Sequence, residues 1–377
     1  MIPFNKPYLT GKEAHYMYQA VYGGKLSGNG IFTKKCQEYF EKQYGFKKSL
    51  LTTSCTDALE MCAILADIQP GDEVIVPSYT FVSTALAFVR QGAKIVFADS
   101  CPDNPNIDAT RIEELITSNT KAIVPVHYAG VACDMDPIMD LARKYNLLVI
   151  EDAAQAIDSY YKGKPLGSIG HLAAFSFHET KNIISGEGGM LAINDERFIR
   201  RAEIIWEKGT NRAEFFRGEV NKYGWVDTGS SFLPSEVIAA FLWAQLENLE
   251  AIQQRRKAIW NRYNDALLAA DLSKISLPNI PNYATNNAHM YYLVCQSLEQ
   301  RTELIKRLKE NEILAVFHYL ALHNSEYYRD KHDGRNLNNT DRFADCLVRL
   351  PMFYELTNAQ IDKIVQIISE SKRELFY

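Results

Sequence analysis

The chain has 377 residues, and hydrophobic side chains make up 47% of them. This length and composition exclude a disordered chain. They predict a globular protein of two or three domains, or of one large α/β domain with a smaller one. The formal net charge is −5, which argues against nucleic acid or an acidic membrane surface as a partner.

The chain contains seven cysteines, an odd number, and no Cys-x-x-Cys pair. This pattern argues against a disulfide framework or a structural metal site and suits a reducing cytoplasm. The first residues lack the basic start and apolar run of a signal peptide. No apolar stretch reaches the roughly 18 residues that span a bilayer. We therefore expect a cytoplasmic protein that binds no metal, membrane or nucleic acid.

Short apolar runs alternate with helical patterns between residues 50 and 195. The predicted strands are Leu50–Thr53, Glu73–Pro77, Lys94–Ala98, Ala122–Val126, Leu147–Glu151, Ala173–Phe177 and Gly189–Ile193. The predicted helices are Asp57–Asp67, Val82–Gln91, Ile112–Thr117 and Met135–Tyr145. Continuous apolar strands separated by helices indicate a largely parallel sheet that is buried on both faces. In such sheets a ligand binds at the carboxyl ends of the strands.

The pattern changes after residue 195. Glu196–Lys208 is a predicted helix, and Ser235–Leu268 is a predicted long helix that an interruption can divide. Residues 209–234 between them have no clear period, which is typical of a functional segment. After a candidate linker at Pro278 and Pro281, the remaining predicted elements are strands 290–295 and 313–318 and helices 301–310 and 358–373. We predict a large α/β domain over 1–250 and a small α+β domain over 251–377, which the N-terminal segment can also join.

The first polar segment at a strand end is Leu51–Thr56, which ends one predicted strand and opens a helix. Such a turn presents free backbone N–H groups and the positive end of a helix dipole, and both attract a phosphate. Thr56 can add a hydroxyl. The alternative is that Ser54 or Thr56 only caps the helix.

A second segment places Glu151 and Asp152 at the end of a buried strand. A buried carboxylate is costly unless it meets a positive partner, and a protonated pyridine nitrogen is one such partner. The alternative is a capping aspartate.

A third segment, Ala173–Asn182, runs from a strand into a loop that holds Lys181. An amine in an apolar or cationic site loses its proton easily and becomes a nucleophile. The alternative is a solvated surface lysine. The three segments follow one another along one array of strands and helices, so together they favour a pyridoxal phosphate site.

These segments resemble the sugar aminotransferases of the DegT/DnrJ/EryC1/StrS family, and the likeness runs from Ile2 to Pro351. The matching motifs are Pro77–Phe81, Pro125–His127, Glu151–Gln155, Phe175–His178 and Thr180–Lys181. The resemblance implies an α/β protein of fold type I among pyridoxal phosphate enzymes. Such a protein has a large domain with a mostly parallel seven-stranded sheet and a smaller α+β C-terminal domain. It also implies a homodimer with shared active sites.

The resemblance implies that Lys181 is the catalytic residue and carries pyridoxal 5′-phosphate as a Schiff base. The other implied cofactor contacts are Cys55, Thr56 and Ser176 at the phosphate, Asp152 at the pyridine nitrogen, Gln155 near the ring hydroxyl and Phe81 on the ring face. Without the motif, Phe81 would equally well be an ordinary core aromatic.

The chain departs from the family pattern at two places. Where relatives supply an asparagine from the neighbouring subunit, this chain has Ser231, whose hydroxyl can still donate one hydrogen bond to phosphate. Where relatives commonly have proline, it has Ala321. In the segment around Ala321, His318, Tyr319 and His323 are candidates for substrate contact, and for the histidines a structural role is the alternative.

Five further runs resemble one subgroup of the family: Gly71–Ile75, Val124–Cys133, Arg201–Asn211, Phe215–Gly218 and Ala288–Met290. They imply that the protein converts dTDP-4-keto-6-deoxyglucose to dTDP-4-amino-4,6-dideoxygalactose, with L-glutamate as amino donor. Amination at C3 and the gluco epimer are alternatives within the family. Outside it, the alternatives are a regulator that binds pyridoxal phosphate and a non-catalytic protein that binds nucleotide sugars.

Overall fold

The computed structural model describes residues 1–270, 272 and 274–375. Its first half contains nine strands: β1 (Lys48–Thr52), β2 (Glu73–Pro77), β3 (Lys94–Ala98), β4 (Thr120–Ile123), β5 (Leu148–Asp152), β6 (Tyr160–Tyr161), β7 (Lys164–Pro165), β8 (Leu172–Ser176) and β9 (Gly189–Ile193). Strands β6 and β7 form a separate hairpin, and the other seven form one sheet in the order β1-β9-β8-β5-β4-β2-β3. Six of the seven strands run in one direction, and β9, between β1 and β8, runs in the opposite direction. The predicted mostly parallel seven-stranded sheet is confirmed.

Helices cover both faces of this sheet. They are α1 (Glu13–Tyr22), α2 (Ile31–Tyr44), α3 (Cys55–Leu65), α4 (Val82–Val89), α5 (Met135–Tyr145), α6 (Ile199–Trp206), α7 (Arg212–Phe216), α8 (Glu236–Leu246) and α9 (Leu249–Ala269). Side chains of α2, α5 and α8 form one hydrophobic core on one face, and those of α3, α4 and α6 form a second core on the other.

Successive strand residues enter opposite cores, because side chains alternate across a strand. In β5, Val149 belongs to the first core and Ile150 to the second, and both are fully buried. This alternation explains why the strands are continuously apolar, and it sends neighbouring residues at a strand end in opposite directions.

The C-terminal part contains strands β10 (Tyr292–Val294), β11 (Val316–Phe317) and β12 (Leu347–Arg349) and helices α10 (Leu298–Glu310), α11 (Asn338–Cys346) and α12 (Asn358–Leu375). Strand β12 lies between the other two and is antiparallel to both. A third core, which includes Ile259 and Tyr263 of α9, lies here. Ile2 belongs to this core and pairs with Ile313.

Some local predictions were wrong. The segment Ile112–Thr117 is not an α-helix but ends a pair of 3₁₀ turns, Ala109–Arg111 and Glu113–Leu115. The buried side chains of Ile112 and Leu115 hold the turns in place. A segment of six residues is too short to form an α-helix that is stable by itself. The interruption allowed for in the predicted helix over Ser235–Leu268 is present, since α8 and α9 are separated at Glu247–Asn248.

No helix among the described residues is long and apolar enough to cross a membrane. Within the same residues, no group of three or more histidine, cysteine or acidic side chains is arranged to hold a metal ion.

Candidate active site

A cavity of about 650 Å³ opens at the carboxyl ends of β1, β2, β5 and β8. Parallel strands bring their carboxyl ends to one edge, so residues far apart in sequence meet there. The predicted site residues that line the cavity are Cys55, Thr56, Phe81, Asp152, Gln155, Ser176, Lys181, His318 and Tyr319.

One wall of the cavity is the turn between β1 and α3. Ser54 caps α3 and accepts a hydrogen bond from the Asp57 N–H (3.1 Å), and the first intrahelical bond runs from the Ala58 N–H to the Ser54 carbonyl. The N–H groups of Cys55 and Thr56 precede that bond, as first-turn donors do. The capping alternative is therefore true of Ser54, and it leaves the helix end available to an anion.

Strand β9 runs so close beneath this turn that only glycine fits at Gly189. A Cβ there would lie 2.4 Å from the carbonyl carbon and oxygen of Ser54 and 2.5 Å from the Cys55 nitrogen. The absent side chain thus sets the position of the helix end.

Asp152 ends β5 and its carboxylate lines the cavity floor. Its Oδ2 accepts a hydrogen bond from the Thr84 hydroxyl (2.7 Å) and its Oδ1 from the Ala154 N–H (3.1 Å). Burial raises the pKa of this carboxyl, and the two hydrogen bonds and the charge of Lys181 oppose that shift. Among the described residues, no cationic side chain lies within ion-pair distance of it.

The preceding residue, Glu151, faces the other side of the sheet. Its carboxylate accepts hydrogen bonds from the N–H groups of Gly167, Ile169 and Gly170 (2.6–2.8 Å) and pairs with His127 Nε2 at 2.9 Å. Both partners of that pair are fully buried. Glu151 therefore holds the 167–170 loop, and Asp152 alone of the acidic pair enters the cavity.

Lys181 lies in a loop between β8 and β9. Backbone hydrogen bonds from Phe177 to Gly188 (2.8 Å) and from Glu179 to Gly186 (2.9 Å) hold this loop closed, and the Lys181 N–H donates to the His178 carbonyl (2.9 Å). Burial lowers the pKa of the Lys181 amine. The amine is therefore easier to deprotonate than that of a surface lysine.

The other side of the cavity is aromatic. Gln155 accepts a hydrogen bond from the Ala129 N–H (2.6 Å) and donates to the Tyr319 hydroxyl (2.9 Å). Tyr319 stacks on His318, whose Nδ1 lies 2.6 Å from the Tyr128 hydroxyl. Phe81 is 55% exposed, which argues against the core-aromatic alternative and leaves its ring free to meet a ligand.

Two predicted site residues lie outside this cavity. His323 is buried beside Ser78, whose Oγ lies 2.8 Å from its Nδ1, and beside Asp341, so its surroundings favour the structural alternative. Ser231 is exposed, and its backbone forms an antiparallel bridge with that of Glu207. Its predicted place in a partner's site stays a prediction.

Other residues that were not predicted to belong to the site also line the cavity, among them Arg349 at the end of β12, His289 and Phe4. His289 Nδ1 lies 2.8 Å from the Asn182 amide oxygen, next to Lys181 in the chain. The only sequence signal for these residues was their presence in runs that resemble the family.

The fold and the site define a class of protein: an α/β enzyme with a lysine and a buried aspartate at the carboxyl edge of a mostly parallel sheet. A sequence profile of the DegT/DnrJ/EryC1/StrS aminotransferase family matches residues 7–369, and the chain belongs to this family. It is therefore a sugar aminotransferase, and its cofactor is pyridoxal phosphate.

Relatives agree with this assignment. The chain is 33% identical over 355 residues to an uncharacterized protein of Methanocaldococcus jannaschii, covering 91% of this chain and 92% of that one. An aminotransferase from Psychrobacter cryohalolentis superposes with a TM-score of 0.92 at 27% identity, over 100% of both chains. A candidate sugar aminotransferase from Streptococcus pneumoniae in its PMP form superposes at 0.91 and 25% identity, also over 100% of both.

Proposed function

We propose that the protein transfers an amino group from L-glutamate to C4 of dTDP-4-keto-6-deoxy-D-glucose and so makes dTDP-4-amino-4,6-dideoxy-D-galactose. This is the reaction of dTDP-4-amino-4,6-dideoxygalactose transaminase in the synthesis of enterobacterial common antigen. The observation that carries the chemistry is the convergence of the α3 N-terminus, Asp152 and Lys181 in one cavity. The choice of sugar is supported by the runs that resemble one subgroup, among them Val124–Cys133 and Arg201–Asn211.

The cavity fits the cofactor at both ends. The N–H groups of Cys55 and Thr56, with the hydroxyls of Thr56 and Ser176, would hold the phosphate at the positive end of α3. Asp152, a buried carboxylate without a cationic side chain beside it in the described structure, would pair with the pyridine nitrogen and keep it protonated. Pyridoxal phosphate, when bound, supplies the electron sink and carries the amino group.

Lys181 would hold the cofactor covalently and then act as the acid and base. Its amine, freed when the donor binds, would take a proton from the donor Cα and deliver it to C4′ of the cofactor. With the keto sugar the same amine would move the proton in reverse. Burial lowers the pKa of Lys181 and so favours the neutral amine that both tasks require.

The remaining residues would orient the ring and the sugar. Phe81 would lie on the ring face, and the Gln155 amide would approach the ring hydroxyl. His318 and Tyr319, stacked at a centroid distance of 3.6 Å, would contact the sugar. Ser231 of a second subunit would complete the phosphate site in a homodimer.

The test is an assay of the purified, cofactor-loaded protein with L-glutamate and dTDP-4-keto-6-deoxyglucose. We expect 2-oxoglutarate and an amino sugar whose NMR spectrum shows the galacto configuration at C4. An absorbance band near 420 nm should be present and should be lost in Lys181→Ala.

Other products would revise the proposal in defined ways. A gluco product, or amination of a 3-keto sugar instead, would keep the aminotransferase and change its substrate or stereochemistry. A 420 nm band without any amino transfer would favour a regulator that binds pyridoxal phosphate. Absence of the band would leave only a protein that binds nucleotide sugars.

A further inference from the structure

Among the residues that the structure describes, the guanidinium of Arg349 has no hydrogen-bond or ion-pair partner. Arg349 ends β12 and lines the cavity, and its Nε is buried without a hydrogen-bond acceptor. Throughout the described part of the chain, no carboxylate lies within ion-pair distance of it, and its cation–π contact is with the Phe4 ring, 4.7 Å from the guanidinium carbon. By contrast, the buried Arg256 donates to the carbonyls of Ala288 (3.0 Å) and His289 (2.6 Å).

The cavity holds no spare anion that could serve as this partner. The carboxylates among its lining residues are Asp152 and Glu187. Asp152 is occupied by Thr84 and Ala154, and Glu187 is exposed and lies 3.7 Å from His178. A desolvated guanidinium without an anion is costly. A cavity built around one is therefore complementary to an anionic ligand.

We propose that Arg349 binds the α-carboxylate of the amino donor. This inference rests on the proposed function, since it assigns one part of a substrate to one wall of the same cavity. The planar fork of a guanidinium matches a carboxylate with two parallel hydrogen bonds. Arg349 would thereby orient the donor so that its Cα faces the Lys181 amine.

The chemistry of the two substrates favours the donor carboxylate over the diphosphate of the nucleotide sugar. In an α-amino acid the carboxylate is one bond from the carbon that loses its proton. In the sugar substrate the nearest phosphorus is five bonds from C4. Arg349 has a buried Nε and therefore lies inside the cavity, not at its rim. Burial lowers the pKa of the Lys181 amine most, and the positive charge of Arg349 lowers it further. The two cations therefore interact across the cavity.

Arg349 is also the permanent cation of this wall. Burial lowers the pKa of His289 and of His318 well below the ordinary value, so both imidazoles are neutral near pH 7. They can donate or accept hydrogen bonds there, but they add no charge. A negatively charged group entering this side of the cavity would therefore be drawn to Arg349.

The experiment separates the two half-reactions in the cofactor-loaded protein. Arg349→Met removes the positive charge, and Arg349→Lys keeps a positive charge but loses the two parallel N–H donors of the guanidinium. Loss of the 420 nm band with L-glutamate reports the donor half, and its loss with the amino sugar reports the sugar half. We expect the half-saturating L-glutamate concentration to rise about 100-fold in Arg349→Met and about 10-fold in Arg349→Lys. The sugar half should change less than about threefold.

A second readout does not depend on turnover. Calorimetric titration with 2-oxoglutarate, which carries the same carboxylate, should show a matching loss of affinity. Wild-type protein should also prefer L-glutamate to L-isoglutamine, whose α-carboxylate is an amide, and Arg349→Met should lose that preference. The matched control is Arg301→Met. Arg301 also has a buried, unpartnered Nε, but it donates to the Ala344 carbonyl and does not line the cavity.

The outcomes are distinct. If wild-type protein reacts with neither substrate, the proposed function fails. If wild-type protein reacts but Arg349→Met keeps its affinity for L-glutamate, the inference is overturned. It is equally overturned if the amino sugar half suffers as much or more, since Arg349 would then bind the diphosphate or only support the fold. Should Arg349→Met fail to fold, Arg349→Lys and the L-isoglutamine comparison decide the question.

Discussion

Neighbouring carboxylates at the end of β5 have different partners because side chains alternate across a strand. Asp152 enters the cavity, where Thr84 and Ala154 hold it, and Glu151 binds three backbone N–H groups and His127 on the other side. We therefore expect Asp152 to affect chemistry and Glu151 to affect stability.

Asp152→Asn should leave folding nearly unchanged and nearly abolish amino transfer. Asparagine can keep the hydrogen bonds to Thr84 and Ala154, so the free energy of unfolding should change by less than about 1 kcal/mol. The negative charge that we propose to pair with the pyridine nitrogen is lost, so kcat should fall at least about 100-fold. Urea unfolding and the half-reaction with L-glutamate measure the two effects.

Glu151→Gln is the matched control, because it neutralises the adjacent carboxylate. The side-chain amide of glutamine would direct its own N–H groups at backbone N–H donors, which then lose their acceptor. The free energy of unfolding should therefore fall by about 2–4 kcal/mol. At saturating cofactor the 420 nm band should remain. The reverse result, an active Asp152→Asn and a band lost in Glu151→Gln, would refute the assignment of the two roles.

At the scale of single residues, the residues predicted from the sequence to line the site are mostly those at or just after the ends of strands. Lys181, Asp152 and Ser176 line the cavity as predicted. His323 does not, since its imidazole turns to Ser78. Arg349 was missed because a three-residue strand has too little pattern to be recognised, and nothing in its sequence surroundings shows that its charge is unpaired.

At the level of elements, the β1–α3 turn depends on two strands and a helix in close contact. Strand β9 crosses under the N-terminus of α3, and Gly189 is the residue that allows the approach. The sequence predicts both elements but not their separation.

Gly189→Ala should displace the β1–α3 turn. The added Cβ would contact backbone atoms of Ser54 and Cys55 at 2.4–2.5 Å, and a backbone cannot rotate away as a side chain can. We expect about 1–3 kcal/mol of lost stability and at least about 10-fold weaker affinity for pyridoxal phosphate. Gly224→Ala is the control, because a Cβ there meets nothing within 4 Å. Equal cofactor affinity in the two variants would contradict the prediction.

Sequence reasoning missed two helices near the start of the chain, although α2 carries buried Phe32, Cys36, Phe40 and Tyr44 at helical spacing. Helices α1 and α2 were not predicted, and both pack against α8, a partner more than 190 residues away in the chain. Buried Glu236 of α8 holds the start of α2 through the N–H groups of Gly30, Phe32 and Thr33. Tertiary contacts of this kind leave no mark in the local sequence.

At the scale of the whole molecule, an exposed aromatic segment suggests a partner chain. Between residues 209 and 231, Phe216 is 70% exposed and Trp225 is 85% exposed. Exposed aromatic clusters mark interaction surfaces. Ser231 ends this segment, as a residue that reaches into a second subunit would.

Mixed dimers test this arrangement. Lys181→Ala and Ser231→Tyr should each be inactive, since each dimer site would lack one contribution. After exchange in equal amounts, about one quarter of wild-type activity should return, because half of the dimers are mixed and each has one intact site. Mixing Lys181→Ala with Asp152→Asn should restore nothing, since both changes lie in the same chain's cavity. No recovery in the first mixture would contradict a shared site.

The buried histidines should make the cofactor-free protein acid-sensitive. Burial lowers the pKa of His289 well below its ordinary value. Above about pH 6.5 this imidazole is neutral in the folded and unfolded states, so it has no effect on stability. Below that pH the unfolded state binds a proton that the folded state excludes, and stability falls by about 1 kcal/mol over the first pH unit.

Urea unfolding at several pH values measures this effect. The free energy of unfolding should fall less steeply below pH 6.5 in His289→Gln than in wild-type protein. The control is His15→Gln, which alters an exposed histidine. Identical slopes in wild-type protein and His289→Gln would show that His289 takes up a proton in the folded state.

The roles of Lys181 and Asp152 were implied by the resemblance to the family. Local sequence by itself determined the sheet, its strand count and the order of the three polar strand ends. It could do so because periodicity and strand-end position are local properties, and parallel strands bring their carboxyl ends to one edge. Only the tertiary structure decided which of Glu151 and Asp152 enters the cavity, that Gly189 sets the β1–α3 turn, and that His323 stays outside. It also decided that Arg349 lines the cavity without an ion-pair partner among the described residues. Each of these depends on a contact between segments distant in the chain, where burial and the absence of a partner determine what a side chain does.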